Sequence, residues 1–171
     1  EDPGGHNMGR KMPMILAGLA LKDPDILAYA DASKHFIFQE DRQTWYVTAN
    51  DVGRTLYTAD KRPRESYLRE DVGVAEWGEQ HTRAPQRDGR NWDAYYRAIC
   101  YSGETGHALT AHLTAGAVEL WNWPAFFDYM DRSFSIAGKG AGDGSNTIPG
   151  HIAQMWSQNR YKFSPAKDKS E

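Results

Sequence analysis

One cysteine, Cys100, stands in 171 residues, which excludes an internal disulfide and any Cys-rich zinc or iron–sulfur site. Long apolar runs are missing as well. The longest, Met12 to Leu21, is interrupted by Pro13 and Gly18 and is about half of the roughly 20 residues a membrane span needs. Charge of one sign is also lacking. The 20 Lys and Arg are interleaved with 23 Asp and Glu, giving a net charge of -3. No stretch is basic enough to neutralise a phosphate backbone, so a nucleic-acid partner is not expected. The first residues, Glu1-Asp2-Pro3-Gly4-Gly5, do not follow a signal-peptide pattern. The expectation is a soluble chain of one domain over residues 1–163, with a polar, frayed tail over 164–171 that has nothing to bury.

Aromatic residues, by contrast, are plentiful. The chain has 6 Trp, 9 Tyr and 6 Phe with a mean hydropathy of -0.73, so large flat rings sit in an otherwise polar sequence. That mixture suits a wet, ring-lined groove, and it equally suits an aromatic core.

Periodicity predicts mostly helices. Met14 to Leu21 is apolar on nearly all sides, which predicts a short, fully buried helix with Pro13 in its first turn. Asp23-Pro24-Asp25 supplies an N-cap, a first-turn proline and a first-turn acid, predicting a second helix that runs to about Lys34. Phe36-Ile37-Phe38 and Trp45-Tyr46-Val47 flank a polar stretch and predict a minor β-hairpin near residues 36–48. Residues 58–91 are rich in charge, glycine and proline and read as a long loop, broken around Val74 to Trp77. Helical spacing returns at Trp92, Tyr95, Tyr96 and Ile99, pauses at Ser102-Gly103, and resumes at Leu109 and Leu113. Trp123-Pro124 opens a helix with Phe127, Met130 and Phe134 on one stripe, ended by the glycines between 138 and 144. A last helix follows Pro149 and carries Ile152, Met155 and Trp156.

Three groupings could carry chemistry. In Gly4 to Lys11, His6 could move a proton near neutral pH and Arg10 could hold a carboxylate, unless the stretch is only a solvated arm. In Glu76 to Trp92, the rings of Trp77 and Trp92 beside Glu76, His81 and Asn91 form a set able to stack on a sugar and grip an anionic substituent, unless the loop is merely solvated. In Trp92 to Arg97, Tyr96 lies beside Arg97, whose charge favours the phenolate; a core tyrosine is the alternative. His107 and His112 are five residues apart, about 140° around a helix, which does not suit a shared metal. His35 and His151 read as structural, Cys100 as a small buried hydrophobe, and the glycines between 138 and 144 lack the order of a phosphate-binding loop. No metal or cofactor is expected.

The run Gly5-His6-Asn7-Met8-Gly9-Arg10-Lys11 leading through Pro13 into an Ala-Gly-Leu helix, then Glu76-Trp77-Gly78 through His81, Tyr95 to Cys100, and Leu120 to Tyr129, resembles the C-terminal part of bacterial α/α-toroid polysaccharide lyases of the heparinase II/III and alginate lyase type. That resemblance implies a mainly α fold of paired helices forming part of an (α/α) toroid. It also implies a secreted or periplasmic protein that binds an acidic polysaccharide and cleaves it by β-elimination. Tyr96 or His81 would then be the base, and Arg10, Arg97 or Asn91 would neutralise the uronate carboxylate, since that proton is hard to remove until the charge beside it is countered. Glycoside hydrolysis through two carboxylates, Glu76 and Glu79 being the candidates, and non-catalytic glycan binding or assembly remain alternatives. The helices make about half a toroid, so the expectation includes a missing N-terminal half or a homo-oligomer that covers the exposed faces.

Overall fold

A computed structural model describes residues 8–34, 36–54, 56–57, 63–78, 85, 95–137 and 148–162, with side chains set aside at 56–57, 95–102 and 136–137. Within these residues the chain is mostly helical with a small two-stranded antiparallel sheet. The elements are α1 (Lys11–Leu21), α2 (Pro24–Ala30), α3 (Gln39–Gln43), β1 (Thr44–Tyr46), β2 (Leu56–Tyr57), β3 (Pro63–Arg64), β4 (Ala75–Trp77), α4 (Tyr95–Leu113), α5 (Ala117–Trp121), α6 (Pro124–Ala137) and α7 (Gly150–Asn159).

Helix α1 begins where the Pro13 pattern places it, but it is not buried all round. Lys11, Met12, Ile15 and Gly18 face inward, whereas Leu16 and Leu21 are 40% and 69% exposed. Gly18 lets α2 approach closely, because a Cβ there would lie 3.0 Å from Leu27 Cδ2. Asp23 caps α2 as its sequence predicts, accepting from the N–H groups of Asp25 and Ile26 at 3.0 and 3.1 Å. The helix stops at Ala30 rather than Lys34. Asp31 turns its carboxylate onto the Ser33 N–H and hydroxyl, at 2.9 and 2.7 Å, a local bond that competes with helix continuation.

The small sheet is antiparallel, as a hairpin would be, with a different partner. β1 pairs with β4 in the register Thr44↔Trp77, Trp45↔Glu76, Tyr46↔Ala75. Phe36 to Phe38 stays outside any strand, and Gln39–Gln43 winds into α3. Asp41 drives this by accepting from the Phe38 N–H at 3.3 Å, while the Thr44 hydroxyl donates back to the Glu40 carbonyl at 2.9 Å. A second antiparallel pair joins β2, just ahead of the predicted long loop, to β3 inside it.

Helix α4 passes unbroken through Ser102-Gly103. An interior glycine costs about 1 kcal/mol relative to alanine, which burial of Ala108, Leu109, Ala111 and His112 farther along the helix offsets. α6 starts at Pro124 and α7 just after Pro149, as predicted. The core gathers between α1, α4, α5, α6 and β4. Trp121 stacks on Phe126 with centroids 4.5 Å apart and planes 14° apart, and Trp77 meets Tyr129 edge-on at 5.4 Å. Among the described residues no helix is long and apolar enough to cross a membrane.

Candidate functional site

The N-terminal mouth of α1 is assembled by two consecutive acids on α3. Glu40 is fully buried, and its Oε1 accepts from the N–H groups of Gly9, Arg10 and Lys11 at 2.7, 2.9 and 3.2 Å. These are amide donors that a helix start leaves without intrahelical partners, and a carboxylate there also meets the positive end of the helix dipole. Asp41 serves the side chain of the same segment. Its Oδ2 lies 2.7 Å from Lys11 Nζ, its Oδ1 accepts from Trp121 Nε1 at 2.9 Å, and Lys11 Nζ also donates to the Trp121 carbonyl at 2.7 Å. Burial pushes the Asp41 carboxyl up to about 6, with the Lys11 charge pulling the other way. Burial likewise lowers Lys11, opposed by Asp41.

Helix α4 brings a third acid and a histidine to this mouth. Glu104 and His107 are three residues apart, the spacing at which helical side chains meet, and Glu104 Oε2 stands 3.2 Å from His107 Nδ1. Burial raises the Glu104 carboxyl, and the charges of Glu40 and Asp41 raise it further while His107 opposes them. The bond to Glu104 raises His107 against the effect of burial. Glu104 is buried, whereas the His107 side chain is 32% exposed, so the pair spans from interior to surface. Gly9 closes over it. With φ of +87°, a Cβ on Gly9 would lie 3.3 Å from His107 Cε1 and 3.7 Å from Glu104 Oε1. Gly9→Ala should therefore lower stability by about 1–3 kcal/mol, through the left-handed backbone and the crowded imidazole. A melting curve unchanged within about 0.3 kcal/mol, with unshifted His107 ring resonances, would contradict that placement.

The segment Glu76-Trp77-Gly78 is not an open platform. It is strand β4 with its end, held between β1 and α6, and all three residues are buried. Trp77 is 0% exposed and donates from Nε1 to Gln43 Oε1 at 2.6 Å, so its ring belongs to the core and is not presented to a sugar. Glu76 is also withdrawn from ligand binding. Arg132 Nη1 donates to Glu76 Oε1 at 2.8 Å and to the Ala75 carbonyl at 2.9 Å, which ties α6 to the strand. Nearby, the Tyr46 hydroxyl donates to Asp128 Oδ2. Burial, then that carboxylate, raises Tyr46 well above the ordinary tyrosine range, so this phenol keeps its proton.

Of the other candidates, Arg10 is exposed at the α1 mouth, and Tyr96 and Arg97 lie in the first turn of α4, one residue apart and eleven and ten residues ahead of His107. His6, His81, Asn91 and Trp92 lie outside the described residues, as do His35, Glu79 and the segments 138–147 and 163–171; the side chain of Cys100 is also undescribed. His107 and His112 occupy separate environments. His112 is buried edge-on to Phe127 and Trp156, with ring centroids 5.1 and 5.2 Å away, and Arg160 Nη1 is 3.4 Å from its Nδ1. Glu40, Asp41 and Glu104 escaped the sequence reading. Two traces of them were present: adjacent acids ahead of an aromatic strand, and an acid three residues before a histidine on a helix. No family model matches the chain, and no curated protein or solved structure does either.

Proposed function

We propose that the chain is a carbohydrate-active protein that binds an acidic polysaccharide and cleaves it by β-elimination. The observation that carries this reading is the Glu104–His107 pair under Gly9, next to the exposed Arg10. Elimination beside a uronate carboxylate requires a group that moves a proton and a cation that counters the carboxylate, because the developing charge must be met by preplaced partners. An acid–base pair that reaches the surface and an arginine beside it supply both kinds of group at one mouth. Tyr96 and Arg97 lie about three helical turns, roughly 16 Å, from His107 along α4, so the mouth's chemistry rests on His107, Glu104 and Arg10. With Trp77 in the core, sugar stacking falls to Trp92, and the hydrolytic alternative loses Glu76 to its ion pair with Arg132.

Incubation with alginate, pectate, heparinoids and ulvan should raise the ultraviolet absorbance of an unsaturated uronate on at least one of them. Flat traces with no new reducing ends on all four would sink the catalytic reading. Flat traces together with retarded migration in affinity gels containing the same polymers would instead identify a non-catalytic binder.

A further inference from the structure

The tripeptide Asp-Val-Gly occurs twice, at residues 51–53 and 71–73, and the chain folds both copies the same way. Each copy starts from a residue in extended conformation, Thr48 (φ -109°, ψ 165°) and Leu68 (φ -104°, ψ 170°). A 3₁₀ turn follows, Ala49–Asp51 in one and Arg69–Asp71 in the other. Its aspartate reaches back to the N–H that opens the turn: Thr48 N donates to Asp51 Oδ2 at 2.8 Å, and Leu68 N to Asp71 Oδ2 at 2.7 Å. Such short-range bonds are why aspartate favours turns. Val52 (φ -63°, ψ 130°) and Val72 (φ -61°, ψ 129°) then lead into Gly53 and Gly73, whose φ values of +70° and +87° complete a type II turn. The third residue of that turn needs a positive φ, so glycine stands there in both copies. The Asp51 carbonyl accepts from the Arg54 N–H at 3.4 Å, and the Asp71 carbonyl from the Val74 N–H at 3.0 Å.

The two copies also bind each other. Gly53 donates its N–H to the carbonyl of Tyr67, the residue ahead of the second copy, at 2.9 Å, and Gly73 donates to the carbonyl of Val47, the residue ahead of the first, at 2.8 Å. The Val47 N–H donates in turn to the Val74 carbonyl at 3.0 Å, one rung beyond Tyr46↔Ala75 at the end of the β1–β4 pairing. The stretch between the copies, which carries β2 and β3, therefore has its two ends tied. Within 47–54 and 67–74 only Val47 and Tyr67 are buried, and both glycines are exposed.

We propose that residues 47–54 and 67–74 form a reciprocal clasp, a conformational device that opens as one unit before the core does. Undoing the first copy takes the Gly53 donor from Tyr67 and displaces the Val47 carbonyl, so Gly73 loses its acceptor. Undoing the second copy does the converse. Segments with few buried apolar side chains and exposed backbone hydrogen bonds open at a lower cost than global unfolding. Opening uncovers Val47 and Tyr67 and removes the Val47–Val74 rung, while β1 stays paired with β4 against α6. The inference is independent of the elimination reading and concerns a different part of the chain.

Native-state amide hydrogen exchange across a denaturant series tests this on the unaltered protein. The Gly53 and Gly73 amides should share one opening equilibrium and one denaturant dependence, with an open population at least about tenfold above that of the core amides of α6. Open populations that differ between the two glycines by more than about threefold, or exchange of both only together with the core, would overturn the proposal. A variant supplies a second readout. Asp51 belongs to the first copy alone, yet Asp51→Ala should speed exchange at Gly73 by at least about tenfold, alongside Gly53. Acceleration confined to Gly53, or none at either glycine, would show two independent turns, and the clasp would fail.

Discussion

Replacing Asp41 with Ala is expected to lower the free energy of unfolding by about 3–5 kcal/mol. The reason is what the substitution leaves behind. Lys11 is fully buried, and without Asp41 its ammonium keeps the Trp121 carbonyl and the faces of Phe38 and Trp121, 5.7 and 5.2 Å from the ring centroids, but no opposite charge in contact. Trp121 Nε1 loses its acceptor as well. A cation taken out of water needs an opposite charge at contact distance, and ring faces alone replace little of it. Chemical denaturation should show a lower midpoint at an unchanged slope. The double variant Lys11→Met with Asp41→Leu removes both charges, so its loss should be well below the sum of the two single losses, the remainder coming from the orphaned Trp121 groups. An Asp41→Ala protein within about 1 kcal/mol of the native one would show that this pair does not organise the interior.

The same neighbourhood shows which parts of the fold a sequence can disclose. Helix α2 was readable because Asp23 and Pro24 are local signals, acting within a turn of themselves, and the same holds for Pro124 at the start of α6. What decides α3 against a strand is partly local, Asp41 accepting from the Phe38 N–H three residues before it, and partly the pairing of Asp41 with Lys11, thirty residues away, which no local pattern carries. The exchange of partners in the small sheet has the same origin. β1 finds β4, and α6 packs behind them, so Trp77, an aromatic in a charged stretch, becomes a core ring through long-range contacts. At the candidate site the mouth of α1 was legible from its glycines and basic residues, whereas its acids were not. Glu40 hydrogen-bonds α1 through backbone amides, which any residue type but proline donates, so nothing in the letters Gly9, Arg10 and Lys11 points to a glutamate.

The second large effect concerns acid. His112 is fully buried among Phe127, Trp156 and Arg160, its Nε2 has no hydrogen-bond partner among the described residues, and burial, then the Arg160 charge, pushes it down from 6.5 to about 3. The unfolded chain therefore takes up a proton that the folded chain refuses between pH about 6.5 and about 3. Stability from this group is complete above the upper value and is lost as pH falls through the window, by up to roughly 5 kcal/mol at 1.36 kcal/mol per pH unit. Asp41 and Glu104 act with the opposite sign. Their carboxyls are raised in the folded state, so they favour folding at the acid end and partly conceal the histidine in the native curve. The difference between the native protein and His112→Phe isolates it. Phenylalanine keeps a flat ring against Phe127 and Trp156 and removes the unpartnered N–H, while Arg160 retains its ion pair with Asp131. Unfolding free energies measured from pH 7 to pH 4 should fall more steeply in the native protein than in His112→Phe, with the gap widening continuously below about pH 6. Parallel curves would mean that water reaches the ring and that α7, which brings Trp156 and stands next to Arg160, is not seated over a neutral histidine.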